Sequence, residues 1–179
     1  FSSSPPLSLM YLASWLRKNG HTSWVLDMEF PEDEAALESV RADGRPILFG
    51  ITSTTPDFPA TCVLVKRLRG LFPGVPVVIG GIHVSALGAE AVAEAGADYG
   101  VVGEGEQTLC ELVAALKGGA RETDLAAIRG LVRRVGDDLV ESDPRPLMAD
   151  VDALPIPAWD LIERERYFTR PWHMLQQRS

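Results

Sequence analysis

Positive charge is in short supply here: 17 Lys and Arg stand against 25 Asp and Glu in 179 residues, a net charge of -8. Phosphate contacts need clustered cations, so this balance argues against an electrostatic nucleic-acid binder. The basic cluster Lys66, Arg67 and Arg69 falls on polar positions of a predicted helix, where a solvated face accounts for it. No apolar run approaches the ~20 residues of a membrane helix. The opening Phe1-Ser2-Ser3-Ser4-Pro5-Pro6 lacks the charged and apolar regions of a signal peptide. Cysteine is nearly absent: Cys62 and Cys110, both on predicted helices, form neither a disulfide framework nor a metal-ligand pair. Buried thiols in a cytosolic protein are the expectation.

What is present reads as globular. Apolar residues make up 46% and charged residues 23%, and the length allows one ordinary domain with an appendage. The chain opens without Met and stops at Gln176-Gln177-Arg178-Ser179 without punctuation that would close a domain. A piece trimmed at both ends is therefore expected.

Leu9, Leu12, Ala13 and Leu16 fall on one helical face between residues 6 and 19, and Asn19-Gly20 supplies a stop. The short apolar run Trp24-Val25-Leu26 then reads as a strand, and Ala36, Leu37 and Val40 mark a weaker helix over 33–42. Pro46 to Ile51 is a continuous apolar run, as in a strand covered on both faces of a parallel sheet. Phe58, Cys62, Val65, Leu68 and Phe72 then keep helical spacing. The pattern repeats with a strand at Val75 to Ile79 and an Ala-rich helix over about 86–95. It repeats again with a strand at Asp98 to Val102 and a helix facing inward through Leu109, Leu112, Val113 and Leu116. Strands alternating with helices imply an α/β fold with a parallel sheet. Two extended segments around Gly136-Asp137-Asp138 read as a small β-hairpin. Beyond it Pro144, Pro146, Pro155 and Pro157 point to an extended connector.

In such a sheet the loops leaving the carboxyl ends of the strands gather on one edge, where ligands bind. Three loops qualify. In Ser53-Thr54-Thr55-Pro56-Asp57, hydroxyls after Thr52 offer hydrogen bonds to a ligand or caps to the next helix, the capping role being expected for Asp57. The Gly80-Gly81 pair, followed by Ile82-His83, removes side chains where a strand ends, either for a bulky planar group or for a tight turn. A lone His83 with no second ligand nearby is a hydrogen-bonding residue rather than a metal site. The glycines of Gly103-Glu104-Gly105-Glu106 expose amide N–H groups before a helix, but the two glutamates would repel a phosphate. Asp27 and Glu29, the acidic pair at an early strand end, are read as solvated loop residues.

Taken as an ordered set, Pro5-Pro6-Leu7-Ser8-Leu9, Gly50 to Pro56, Gly80 to Ser85, Gly103 to Thr108 and the tail Leu154 to Asp160 resemble one family. It is the N-terminal cobalamin-binding domain of cobalamin-dependent radical S-adenosylmethionine enzymes. Each piece is weak alone, and Thr55 departs from the leucine of the family's Ser-x-Leu loop. The resemblance implies a Rossmann-like three-layer sheet of the cobalamin-binding type, followed by the hairpin and connector. It further implies residues 1–120 as the cobalamin domain, 121–145 as the hairpin extension, and 146–179 as a connector toward a radical S-adenosylmethionine barrel.

Cofactor contacts are then expected at Thr52, Ser53, Thr54, Thr55, Gly80, Gly81, His83, Gly103, Glu104, Gly105 and Glu106, with no catalytic residue and no metal ligand in this chain. The Asp-x-His-x-x-Gly motif is absent from residues 1–179, which resembles the branch without a protein histidine on cobalt. The Cys-x-x-x-Cys-x-x-Cys motif is absent too, and by the resemblance would begin just after a segment like Met174 to Ser179. The implied parent is a methyltransferase that also uses a [4Fe-4S] cluster and S-adenosylmethionine, with methyl transfer to a substrate radical. Rival readings are a degenerate module that keeps the fold without cobalamin, a receiver or flavodoxin-like domain, and a nucleotide-binding Rossmann-type domain. The absence of an early Gly-x-Gly-x-x-Gly counts against the last.

Overall fold

A computed structural model describes residues 4–43, 46–119 and 121–168. Helix α1 (Leu7–Lys18) leads through an irregular stretch into α2 (Pro31–Asp43). Three strand-to-helix units follow: β1 (Phe49–Thr52) with α3 (Phe58–Leu71); β2 (Val77–Gly80) with α4 (Ile82–Leu87) and α5 (Ala89–Ala95); and β3 (Tyr99–Val101) with α6 (Gly105–Lys117). Short helix α7 (Glu122–Ala126) precedes the hairpin of β4 (Leu131–Val135) and β5 (Asp138–Glu141). Two 3-10 turns, Val151–Ala153 and Trp159–Leu161, and the single turn α8 (Glu165–Phe168) complete the described chain.

The strands form one sheet in the order β1-β2-β3-β4-β5. β1, β2 and β3 run parallel, in register Thr52 to Gly80 and Ile79 to Gly100. β4 then turns antiparallel against β3, pairing Tyr99 with Arg133 and Val101 with Leu131, and β5 closes the far edge. The three carboxyl ends of the parallel strands therefore share one edge.

Alternation along β2 separates two cores. Val77 and Ile79 join Phe58, Val65, Leu68, Phe72, Val84 and Val92 from α3, α4 and α5 on one face. Val78 joins Val101, Leu112, Leu125, Ile128 and Leu131 on the other. Each fully buried aliphatic side chain contributes about 1.5 to 3 kcal/mol, so the three-layer arrangement follows from a central strand apolar on both faces. A glycine at 100 is required, because a Cβ there would collide with Val92 of α5 and lie 3.2 Å from Val132 of β4.

Several sequence expectations change. Trp24-Val25-Leu26 forms no ladder; the stretch is irregular, with Trp24 exposed and Leu26 packed on the first core. β1 is accordingly an edge strand, half-covered rather than buried on both faces. The helix expected over 86–95 starts earlier and breaks, because Gly88 at φ +54 separates α4 from α5. A side chain there would strike the Glu141 carboxylate, which accepts from Ala89 N–H at 2.6 Å. In α1 the buried positions are Met10, Ala13 and Ser14, so of the expected face Leu9, Leu12, Ala13 and Leu16 only Ala13 is fully buried and the three leucines are half-buried. The cause is that α1 is gripped from two sides, by α6 and by the returning connector. The two cysteines are half-buried and free, and burial pushes the thiol pKa of each upward. The Met174 to Ser179 segment lies outside the described residues.

Candidate functional site

The edge where β1, β2 and β3 end carries the three loops singled out in the sequence, and hydrogen bonds join them in series. Ser53 N–H donates to the Gly80 carbonyl at 2.9 Å, and His83 N–H donates to the Ser53 carbonyl at 3.4 Å. Gly103 N–H donates to Ser85 Oγ at 3.0 Å, tying the third loop to the second. His83 adds a side-chain link, its Nδ1 sharing a hydrogen bond with Thr55 Oγ1 at 3.2 Å while its ring stacks on Phe58 at 4.0 Å between centroids.

Gly81 explains how closely the first two loops approach. Its φ is +97, and a Cβ would sit 2.6 Å from Ser53 O and 2.9 Å from both Ser53 N and Thr52 Oγ1. Only glycine fits both the left-handed backbone and the contact. The chain turns there directly into α4, so Ile82 to Ser85, expected as loop, is helical. Gly103, at φ +84, is the opposite case: a Cβ would meet nothing within 4 Å, so the space above it is open.

The remaining site residues divide sharply. Ser53 is 2% exposed; its hydroxyl donates to the Thr54 carbonyl and accepts from Thr61 Oγ1 at 3.0 Å, so it holds the loop and has no hydrogen to spare. Thr54 donates its hydroxyl to the Asp57 carboxylate in a short hydrogen bond. Asp57 stands at the N-cap of α3 without a side-chain capping bond, contrary to expectation: its backbone is helical (φ -90, ψ -6) rather than extended, and its carboxylate accepts from Thr54 instead. Glu104 accepts from Met148 N–H at 2.6 Å and so faces the connector. Gly105 begins α6 against Leu12, and Glu106 lies in that helix's first turn, so these two are helical rather than loop. His83 Nε2 is enclosed and has no hydrogen-bond partner.

Thr61 and Met148 are the participants that sequence reasoning missed, and Ser85, within the second loop as read, gains a specific role as the acceptor for Gly103 N–H. Thr61 carries one signal, its position one helical turn after Asp57. Of the acidic pair only Asp27 changes role: it is not a solvated loop residue but accepts from Tyr167 Oη at 2.8 Å and from Glu29 N–H at 3.1 Å, while the Glu29 side chain is exposed. A groove of about 320 Å³ lies away from these loops, against the hairpin, lined by Arg129, Arg133, Val140 and Ser142 among others. No cluster of three or more His, Cys, Asp or Glu suited to a metal ion occurs among the described residues. No helix among them is long and apolar enough to cross a membrane.

Comparison with known proteins agrees with this geometry. The family described as B12 binding domain matches residues 2–113. The chain is 34% identical over 169 residues to a protein of Pyrococcus horikoshii named uncharacterized methyltransferase PH0819, covering 93% of this chain and 36% of that protein. It is 30% identical over 167 residues to the anaerobic magnesium-protoporphyrin IX monomethyl ester cyclase of Synechocystis sp., covering 91% of this chain and 33% of the cyclase. Among solved structures, the radical S-adenosylmethionine methyltransferase TsrM of Kitasatospora setae, with cobalamin and a [4Fe-4S] cluster bound, is similar at a TM-score of 0.69 and 29% identity. That likeness covers 85% of this chain and 28% of TsrM. The chain thus spans about a third of the length of the curated relatives it matches.

Proposed function

The chain belongs to the B12-binding domain family, and from that premise we propose that it holds the corrinoid of a larger radical S-adenosylmethionine enzyme, a methyltransferase in the reading favoured here. One observation carries the proposal: three loops from adjacent parallel strands are hydrogen-bonded into a single small-residue rim, with Gly81 pressed against the Ser53 backbone and Gly103 open above. A large, flat, amide-bearing ligand needs a wall without side chains and neutral hydrogen-bonding groups at its border. The rim supplies both through Gly80, Gly81 and Gly103 and through the Thr52 and Thr55 hydroxyls, so the residues present fit the group.

Within that reading, Thr52, Thr54, Thr55, Gly80 and Gly81 line the bound ligand, and Gly103 to Glu106 contribute backbone and first-turn groups. Ser53 and His83 orient rather than touch. The Ser53 hydroxyl is spent inside the protein, and His83 bonds Thr55 through Nδ1 while its Nε2 is enclosed. This supports a domain that places no protein histidine on cobalt. When bound, cobalamin supplies a cobalt centre that can carry a methyl group, whereas this chain's own residues bind it and fix its position.

The [4Fe-4S] cluster and S-adenosylmethionine belong to the rest of the parent protein, as does a radical S-adenosylmethionine domain following residues 146–179. Residues 1–120 are proposed as the cobalamin domain and 121–145 as its hairpin extension. The relative named as a methyltransferase and TsrM support methyl transfer, while the Synechocystis cyclase makes ring closure the competing outcome. Cytosolic residence is part of the same proposal.

Purified chain incubated with hydroxocobalamin and then desalted should keep the corrinoid absorption bands in the protein fraction. A colourless protein of native far-UV circular dichroism would overturn the proposal in favour of a module that keeps the fold without the cofactor.

A further inference from the structure

From Arg145 to Phe168 the chain turns back over the body of the domain, and the way it is held is uneven. It starts on α6, where Arg145 Nε donates to Thr108 Oγ1 at 2.8 Å and its guanidinium pairs with Glu111. Next it touches the third loop through Met148 N–H and Glu104. It then runs along α1: Lys18 Nζ donates to the Ala153 carbonyl at 2.8 Å, Ser14 Oγ to the Ile156 carbonyl at 2.7 Å, and Ala158 N–H to the Met10 carbonyl at 3.2 Å. Along this path Leu147, Val151 and Ile156 are exposed, at 78%, 65% and 83%, while Met148, Leu154 and Trp159 are half-buried and Ala158 is buried. No large apolar side chain is fully buried between residues 147 and 159, and backbone and polar contacts carry much of the hold, which marks this stretch as locally weak.

Its far end is different. Tyr167, 3% exposed, donates its hydroxyl to Asp27 Oδ2 and packs edge-on against Phe30 at 5.4 Å. Arg166 pairs with Asp33 at 2.8 Å and with Glu163 at 2.7 Å, and its guanidinium lies 5.3 Å from the Phe30 ring centre. Asp27 N–H donates to Asp33 Oδ2 at 2.8 Å, so the Asp33 carboxylate is tied to the Asp27 backbone. Burial, with the Asp27 carboxylate, raises the Tyr167 pKa well above the ordinary phenol range. The Arg17 to Asp160 pair midway is by contrast about half exposed on the arginine and more on the aspartate, a geometry worth little in water.

We propose that residues 145–168 are a strap that closes on the domain as a unit, with Asp27, Phe30 and Asp33 forming the buckle that grips Arg166 and Tyr167. Closure fixes the course of the chain after the hairpin and ties Glu104 of the third loop to the strap through Met148 N–H. The proposal does not depend on what the loops bind.

Amide hydrogen exchange read by mass spectrometry tests it on the 179-residue chain. In the wild type, peptides from 151–168 should be protected. In the double variant Tyr167→Phe, Arg166→Gln they should exchange about tenfold faster or more, as expected for loss of charge-assisted hydrogen bonds from a locally opening unit. Protection of β2 should stay unchanged and report that the fold is intact. Arg17→Gln should leave strap exchange within about twofold of wild type. Rapid strap exchange in the wild type, an unchanged rate in the double variant with β2 protected, or an effect of Arg17→Gln equal to the double variant's would each overturn the assignment. If β2 protection is lost in the double variant, the single variant Tyr167→Phe, which removes one oxygen atom, gives the deciding measurement on the same criteria.

Discussion

Thr61 Oγ1 donates to Ser53 Oγ at 3.0 Å, and both residues are buried. The first residue after β1 is thereby fixed from α3, one helical turn past the loop it begins. Replacing Thr61 by Val removes the donor and leaves the shape nearly unchanged. The expected cost is about 1 to 2 kcal/mol, the range for a buried hydrogen bond whose acceptor stays behind. It should appear in urea denaturation as a lower midpoint with the same slope. Ser53→Ala should cost a similar amount, and the double variant less than the sum, because one bond is lost twice. Full additivity would show that the two hydroxyls do not act as a pair.

Gly81 and Gly103 both have positive φ, yet their alanine variants should behave differently. Gly103→Ala pays only for the left-handed backbone, about 1 to 2 kcal/mol, since its Cβ meets nothing. Gly81→Ala pays that and also drives a methyl group into the Ser53 backbone, for a total of roughly 2 to 5 kcal/mol. Thermal unfolding separates the two. At a temperature where both variants are folded, Gly81→Ala should retain less hydroxocobalamin after desalting, because its first two loops are forced apart. Equal retention by wild type and Gly81→Ala would remove Gly81 from the proposed rim.

The repeating strands and helices were legible because β2 and β3 are flanked by helices whose inward faces keep a simple spacing, as Phe58, Val65 and Leu68 do on α3. The hairpin was legible from its turn. Its antiparallel pairing with β3 was not, since nothing in residues 131–135 encodes which strand they will join. Trp24 to Leu26 misled for the same reason: an apolar run reports burial of Leu26 but not a partner for its backbone. The three loops were found because glycines and hydroxyls after a buried strand are visible in one dimension. Their division of labour was not visible. Glu104 facing Met148 and Asp27 facing Tyr167 join residues 44 and 140 positions apart, and no local pattern announces such pairs.

Leu112 tests the second core. It is fully buried on α6 among Val78, Val101, Leu125 and Leu131. Leu112→Ala should destabilise by about 2 to 5 kcal/mol, combining lost transfer energy with the cavity left behind. Val113, next in sequence but only half-covered, should cost clearly less as Val113→Ala. Chemical denaturation of the two variants would reveal any reversal of that order, which would contradict the helix orientation.

His21, in the turn after α1, provides a pH-dependent contact with the end of α6. Lys117 Nζ lies 2.9 Å from His21 Nδ1. An ammonium can only donate, so the imidazole nitrogen must be unprotonated for this bond to exist. Burial first, and the Lys117 charge second, hold the His21 pKa below its ordinary 6.5. The folded chain therefore binds this proton less readily than the unfolded chain. The contact's contribution is present above the unfolded value and is lost as pH falls through the lower folded one. A proton NMR titration of the His21 ring should give a midpoint below 6.5, and Lys117→Met should raise it only part of the way, since burial is the larger cause. Urea midpoints should be higher at pH 7.5 than at pH 5.5 by more in the wild type than in His21→Gln. A wild-type midpoint at or above the ordinary value would mean that the ring does not accept from Lys117 in solution.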